Sequence, residues 1–240
     1  MKTSLRLGAV IAPALLAANA SADFVVYQDS FEIELDPRFW SDTAQLAANP
    51  LGGDMLGRFS REVTRWTLAE LPPLPRNLGL SGIGNEQGGA DNDNGGGNTP
   101  PGNPQVRRWY VEFDFYAIDS WDGTNLFGPD RFEVRANGEM IFSEQFDNVG
   151  SSQTFRPDEI GNIDLGYNLL WNDSVYVDLR IEFELPIDAT ALRIDMLGTD
   201  LQGVQDESWA IDNFEVGLVP APGSAALLVA GAGSLARRRR

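Results

Sequence analysis

Apolar and polar residues alternate with a period of two along much of this chain, the pattern of half-buried strands. Trp109, Val111, Phe113, Phe115 and Ala117 form one set, expected to face a core. Arg108, Tyr110, Glu112, Asp114 and Tyr116 form the other, expected to point outward. Val175, Val177, Leu179, Ile181 and Phe183 alternate in the same manner with Tyr176, Asp178, Arg180, Glu182 and Glu184. Phe132 and Val134 lead through Asn137-Gly138 into Met140-Ile141-Phe142, and Asn-Gly between two such runs predicts a tight hairpin. Further strands are expected at Phe24 to Tyr27, Val63 to Leu68, Ala191 to Met196 and Trp209 to Val216. No long helical stripe and no internal repeat interrupts them. Roughly eight to ten short strands predict an all-β fold, an antiparallel β-sandwich of jelly-roll type.

One stretch departs from the pattern. Gly79 to Gln105 is rich in Gly-Gly and Pro-Pro steps, offers little to bury, and is expected to be a flexible surface insertion. Asp91-Asn92-Asp93-Asn94-Gly95-Gly96 within it has the flavour of a calcium loop. The twelfth position counted from Asp91 is Gly102 rather than the bidentate Glu of an EF-hand, so that reading fails.

The two ends read as addresses. Lys2 and Arg6, the apolar run Leu7 to Ala18 and the small residues Ala20-Ser21-Ala22 make residues 1–22 an expected secretion signal. At the other end, Val219-Pro220-Ala221-Pro222-Gly223 precedes the apolar run Ser224 to Ala236 and the cluster Arg237 to Arg240. A helix over that run reaches only ~20 Å, short of a ~30 Å hydrocarbon core. Residues 219–240 resemble the PEP-CTERM sorting tail of exosortase-processed bacterial proteins, with Ala221 where the family motif has Glu. The resemblance implies an exosortase-type processing enzyme as partner, transient membrane contact through the tail, and export to the cell surface or extracellular matrix. A single domain is expected between the ends, at 23–218.

Composition narrows the chemistry. The 240 residues include no Cys and no His, which removes disulfides, thiol nucleophiles, imidazole acid–base catalysis and most zinc or copper sites. Carboxylates, hydroxyls, Arg and oxygen-bound cations such as calcium remain. The formal charge is −17, and the two ends hold six of the 18 basic residues and no acid. The body therefore sets 12 Arg against 35 acids, a net −23 with no Lys. Nucleic acid is excluded as a natural partner, because phosphate binding needs clustered basic residues.

The body also resembles known proteins. Asp29-Ser30-Phe31-Glu32 with Trp40, Leu56-Gly57-Arg58-Phe59, Phe113 to Gly123, and Asp206-Glu207-Ser208-Trp209-Ala210-Ile211-Asp212-Asn213 recur in this order in secreted bacterial β-sandwich proteins. The opening Phe-Glu and the closing Trp-x-Ile-Asp-Asn are similar to calcium-bearing carbohydrate-binding modules with a galactose-binding-like jelly roll; a concanavalin-like sandwich is the second choice. That resemblance implies a structural calcium shared by Glu32 and Asp212, with Asp206 and Glu207 as weaker ligands. The polar loop Asp119-Ser120-Trp121-Asp122-Gly123 with Asn125 and Asp130 allows two readings. Asp119, Asp122 and Asp130 either bind a second calcium or cap the turn. Trp121 either stacks on a sugar or fills the sandwich rim.

Glu112 and Asp114 raise an enzymatic alternative, since residues i and i+2 on a strand present both carboxylates to one face. A glycosidase needs two carboxylates flanking the bond, and the further Glu of the sandwich-glycosidase pattern does not follow Asp114. The expectation is thus an exported, calcium-stabilised, non-catalytic surface or matrix protein that binds carbohydrate or exopolysaccharide. A purely structural or adhesive role is the other alternative.

Overall fold

The alternating segments lie on strands in the computed structural model, which describes residues 23–41, 44–73, 80–81, 106–124, 129–150, 152–165 and 167–220. The secretion signal, Ala221, Pro222 and the rest of the sorting tail, and Asn125 lie outside the described residues. Every regular element described is a strand: β1 (Phe24–Asp29), β2 (Leu46–Ala48), β3 (Asp54–Phe59), β4 (Val63–Leu68), β5 (Leu80–Ser81), β6 (Val106–Asp119), β7 (Arg131–Ala136), β8 (Glu139–Gln145), β9 (Ile160–Ile163), β10 (Asp173–Pro186), β11 (Leu192–Thr199) and β12 (Glu207–Leu218). They form two antiparallel sheets packed face to face, the jelly-roll sandwich expected. The larger runs β2-β3-β12-β6-β10-β9, with β1 beside β12 and β5 beside β6; the smaller runs β4-β11-β7-β8.

Both predicted faces of the hairpin and the core follow from side-chain chemistry. Asn137 and Gly138 both have positive φ, 49° and 89°, which matches the turn's twist to the strands it joins, β7 and β8. Between the sheets lie Trp66, Trp109, Phe113, Phe115, Phe132, Phe146, Trp209 and Phe214, all buried. Phe115 stacks on Phe132 at 4.3 Å between centroids, and Trp209 meets Phe132 edge-on at 5.0 Å. Such pairs add about 0.5–1.5 kcal/mol each beyond their buried area. The first and last strands are neighbours, as expected, with Phe24 opposite Leu218 and Asp29 opposite Phe214.

Three details correct the strand reading. Leu80–Ser81, inside the expected insertion, pair with Arg107 and Val106, while 79 and 82–105 lie outside the described residues. Tyr110 and Tyr116 sit on the outward parity of β6 yet are buried. Arg180 covers the Tyr110 ring at 3.7 Å, and Asn49 Nδ2 donates to the Tyr116 hydroxyl at 2.9 Å. A second small cluster of Met55, Tyr116, Ile118, Leu165, Val175 and Ala210 thus forms on the outer face of the larger sheet.

The third correction concerns β10. Its pairing with β6 jumps from Tyr176–Phe115 to Leu179–Phe113, so Val177 and Asp178 together face Asp114. Beyond this bulge the parity inverts: Tyr176 enters the main core and Val175 the outer cluster. On the other side of β6, β12 bulges at the same level, its pairing jumping from Asp212–Asp114 to Glu215–Glu112. Asp178 and Asn213 adopt left-handed backbone, φ 50° and 51°. The Asp114 carboxylate joins the two irregularities, accepting the Asp178 amide at 2.9 Å and Asn213 Nδ2 at 2.8 Å.

Replacing Asp114 with Ala leaves both bulges without their shared acceptor, and about 1–3 kcal/mol of unfolding free energy is expected to be lost. Urea denaturation of Asp114→Ala against the wild type measures it; Asp114→Asn, which keeps one acceptor, is expected to lose less.

Candidate functional site

One end of the sandwich gathers the finish of β6 with the starts of β7, β10 and β12. Here the chain crosses from the larger sheet to the smaller through the loop that follows β6. Asp122 bridges Asp147 across the rim. The Asp147 carboxylate accepts the Val149 and Ser152 amides and the Ser152 hydroxyl at 2.7–2.8 Å, and these donors outweigh its burial to hold it below the usual carboxylate range. That loop is therefore pinned by an ionised carboxylate in an Asx-type turn.

Within the rim, carboxylate oxygens of Asp122, Asp130 and Glu207 lie within 4.8 Å of one another, the one such group of three found among the described residues. Asp130 and Glu207 are fully buried. Glu207 faces inward because it shares the parity of Trp209 and Ile211, the phase that the β12 bulge sets. The Asp122 amide donates to Asp130, and the Gln202 amide and side chain donate to Glu207. Burial drives the Asp130 carboxyl up to about 7, with Glu207, Asp122 and Asp200 adding repulsion. Burial likewise drives Glu207 up to about 7, reinforced by Asp206 and Asp122. Asp122 is raised for the same reasons, burial first and Asp147 and Asp206 next. The leading charged neighbours of the trio are all acidic and add repulsion when it ionises. An all-oxygen donor set of this kind fits a hard cation such as calcium.

The other expected ligands lie elsewhere. Asp119 is committed to protein partners: Arg58 Nη2 reaches one oxygen at 3.1 Å and the Asn168 amide donates to the other at 3.1 Å. Burial and the adjacent Asp173 raise its carboxyl to about 6 in spite of that arginine. Asp206 accepts the Ser120 hydroxyl at 2.9 Å and borders the trio without joining it. Glu32 is exposed in the turn after β1, with the Asp54 amide 3.4 Å away. Asp212 lies on β12 opposite Asp114, bonded to Asn49 Nδ2 at 3.2 Å and the Asn213 amide at 2.7 Å. Burial raises the Asp212 carboxyl above the usual range, with Asp114 and Glu32 adding repulsion. The three-carboxylate convergence is at the rim instead. Val219 and Pro220 follow β12 directly, the Val219 amide bonded to the Arg108 carbonyl at 3.1 Å.

Trp121 is no sugar platform. It is fully buried against Phe115 and Phe146, with Nε1 donating to the Ser208 carbonyl at 2.8 Å, and so fills the rim beneath the trio. Glu112 and Asp114 are likewise engaged, Glu112 with Arg180 at 3.2 Å and Asp114 with the two bulges.

The aromatic residue that sequence reasoning missed is Trp171, 39% exposed while Trp40, Trp66, Trp109, Trp121 and Trp209 are buried. It sits in the loop before β10, beside the well-exposed Leu169 and Leu170. Asn168 builds that loop by accepting the Leu170 amide at 3.2 Å through Oδ1 and the Trp171 amide at 3.1 Å through its carbonyl. The loop is stitched to its neighbours: Tyr167 donates to the Ala48 carbonyl at 3.0 Å, and Arg58 stacks on the Tyr167 ring at 4.0 Å. Residues 167–172, 48–53 and 201–205 carry no charge, in a chain where 22% of residues do. An uncharged Leu-Leu-Trp-Asn run off the strand periodicity was the available signal. A cleft of about 350 Å³ lined by Glu70, Arg107, Trp109 and Pro186 lies at the opposite end and holds none of the clustered carboxylates.

The raised rim carboxyls bind protons more tightly folded than unfolded. Their stabilising contribution is full below about pH 4 and is lost as pH rises through about 7. In chelator, the melting temperature of the wild type is expected to fall over that window, and Asp130→Asn with Glu207→Gln is expected to flatten the fall. Thermal melts from pH 4 to 8 provide the check.

No family model matches the chain, and no curated protein does. Among solved structures, latent PorU from Porphyromonas gingivalis aligns at 16% identity and a TM-score of 0.36, over 85% of this chain and 13% of that one. An exo-β-1,3-galactanase from Phanerochaete chrysosporium aligns at 10% identity and TM-score 0.34, over 81% and 29%. The CBM22-1 xylan-binding domain of a Paenibacillus barcinonensis protein aligns at 16% identity and TM-score 0.34, over 86% of this chain and all of that domain. The chain thus spans less than a third of each of the first two.

Proposed function

We propose that this is an exported, non-catalytic, calcium-stabilised protein that binds carbohydrate at the cell surface or in the extracellular matrix. The observation that carries the binding reading is the exposed Trp171 on its stitched, uncharged loops. An indole face supplies the apolar contact that a sugar ring's C–H face needs. Asp119, expected as a metal ligand, serves here as the anchor that holds the loop through Asn168 and Arg58.

Asp122, Asp130 and Glu207 are the residues that would hold calcium. The ion would supply positive charge to the three carboxylates, tying the crossover loop of one sheet to the first residue of β12. The non-catalytic reading draws support from Glu112 and Asp114, whose carboxylates are occupied by Arg180 and by the bulges. Export and sorting rest on the resemblance of the two ends to a secretion signal and a PEP-CTERM tail, and exosortase-type processing belongs to the same proposal.

Three measurements test this reading. Millimolar calcium is expected to raise the melting temperature over chelator, by an amount that grows as RT ln(1 + [Ca]/Kd), and Asp130→Asn to abolish the rise. An unchanged wild-type melt would remove the calcium. On a polysaccharide array, Trp171→Ala is expected to lose about tenfold or more of the bound signal, equivalent to the ~1.4 kcal/mol or more of one aromatic contact. A blank wild-type array would favour a purely structural role. Mass spectrometry of the exported chain is expected to find its C-terminus near Pro220; intact Arg237 to Arg240 would refute the sorting.

A further inference from the structure

The smaller sheet buries one face against the core and turns the other to solvent. Thr64 and Trp66 of β4, Ile194 and Met196 of β11, and Phe132 and Val134 of β7 are buried. The alternate positions therefore point outward: Arg65 and Thr67, Arg193 and Asp195, and Arg131, Glu133 and Arg135. Register places Arg65 and Arg135 on either side of Asp195, so the two arginines stand ~10 Å apart across two strand spacings. Among the described residues, four of the body's 12 arginines meet two acids on this face.

Exposure makes the face more cationic than that count. Asp195 pairs with Arg65 and with Arg193, and Glu133 with Arg135. The side chains of Arg65, Arg193 and Arg135 are 45%, 43% and 41% exposed, whereas Asp195 and Glu133 are 9% and 12% exposed. The carboxylates lie beneath and the guanidinium groups lie on top. Arg131 adds a charge whose described partner is Ser143, its Nη1 bonding the hydroxyl at 3.0 Å. Thr67, Ser143 and Gln145 sit among the guanidiniums in the outward registers, and among the described residues no aromatic ring does.

We propose that this face docks an acidic polysaccharide, one bearing uronate carboxylates or sulfate esters. Guanidinium groups bind either anion through paired N–H donors, and the intervening hydroxyls and amide suit sugar hydroxyls. No ring among the described residues of the face offers nucleic-acid bases a stack. The net charge sets the working conditions. At ~0.01 M salt the Debye length of ~30 Å lets the whole acidic body repel a polyanion; at ~0.15 M, with ~8 Å, the local arginines dominate. At ~1 M even they are screened. Binding strongest at intermediate ionic strength is the signature. This inference shares with the proposed function only the ligand class, since it uses a different surface from Trp171.

Affinity electrophoresis tests it, with polygalacturonate and dextran sulfate as the two anionic probes, and methyl-esterified polygalacturonate and dextran as neutral controls. The wild type is expected to be retarded by at least one anionic probe at ~0.15 M salt and by neither control through this face. Arg131→Gln with Arg135→Gln is expected to weaken retardation about tenfold, and Trp171→Ala to leave it unchanged. Thr67→Glu, which removes no ion pair, covers the case in which the double variant fails to fold and is expected to weaken retardation as well. Retardation by neither anionic probe, or retardation indifferent to these arginine-face variants, overturns the proposal. So does equal retardation by duplex DNA. Loss of neutral-polymer binding in Trp171→Ala bears on the proposed function alone.

Discussion

The phase of the larger sheet hangs on the Asp114 carboxylate. A strand read at period two sends every second side chain inward without a break, and β6 obeys this over its length. Its two neighbours do not, because each inserts a residue at the level of Asp114 and hands its left-handed position to that one acid. Above the bulge in β12, Phe214, Val216 and Leu218 face the core; below it, Trp209 and Ile211 do. The same inversion turns Glu207 into the rim, where it meets Asp122 and Asp130. The acidic site is thus a downstream product of a backbone irregularity some distance along the strand.

This coupling explains what was legible in the sequence. The strands themselves, the Asn137-Gly138 hairpin and the aromatic core were readable, since each is a local pattern with a local cause. The inversion in β10 was not, because Val175, Tyr176 and Val177 are all apolar enough to suit either face. The rim trio draws on residues 122, 130 and 207, and spacing alone cannot bring segments so far apart together. Two tryptophans show the same limit. Trp121 allowed two readings in its polar loop, and the structure takes the rim-filling one, its indole N–H finding the Ser208 carbonyl. Trp171 drew no reading among its leucines, and Asn168 builds the loop that leaves it partly exposed.

Charge is distributed with equal dependence on the fold. A body with 35 acids against 12 arginines between its two ends describes an anionic protein and conceals where the arginines lie. Pairing β4, β11 and β7 collects a third of them on one outer face and sinks the matching carboxylates beneath them. The rim shows the opposite arrangement, its three converging carboxylates having acids as their leading charged neighbours while Arg58 is taken up by Asp119. Polar groups in this protein are therefore sorted by the sheets into regions of contrasting sign.

The position of β12 has a kinetic side. It is the last strand in the described chain, yet it lies inside the larger sheet, pairing with β1 and β3 along one edge and β6 along the other. Without it, β1 and β3 cannot join the β6–β10 part of that sheet, so those long-range pairings wait for β12. Such high contact order makes for slow, all-or-none folding. A chain emerging from its N-terminal side stays open until residues beyond 207 arrive, and during that interval the edges of β1, β3 and β6 are exposed to one another and to other chains.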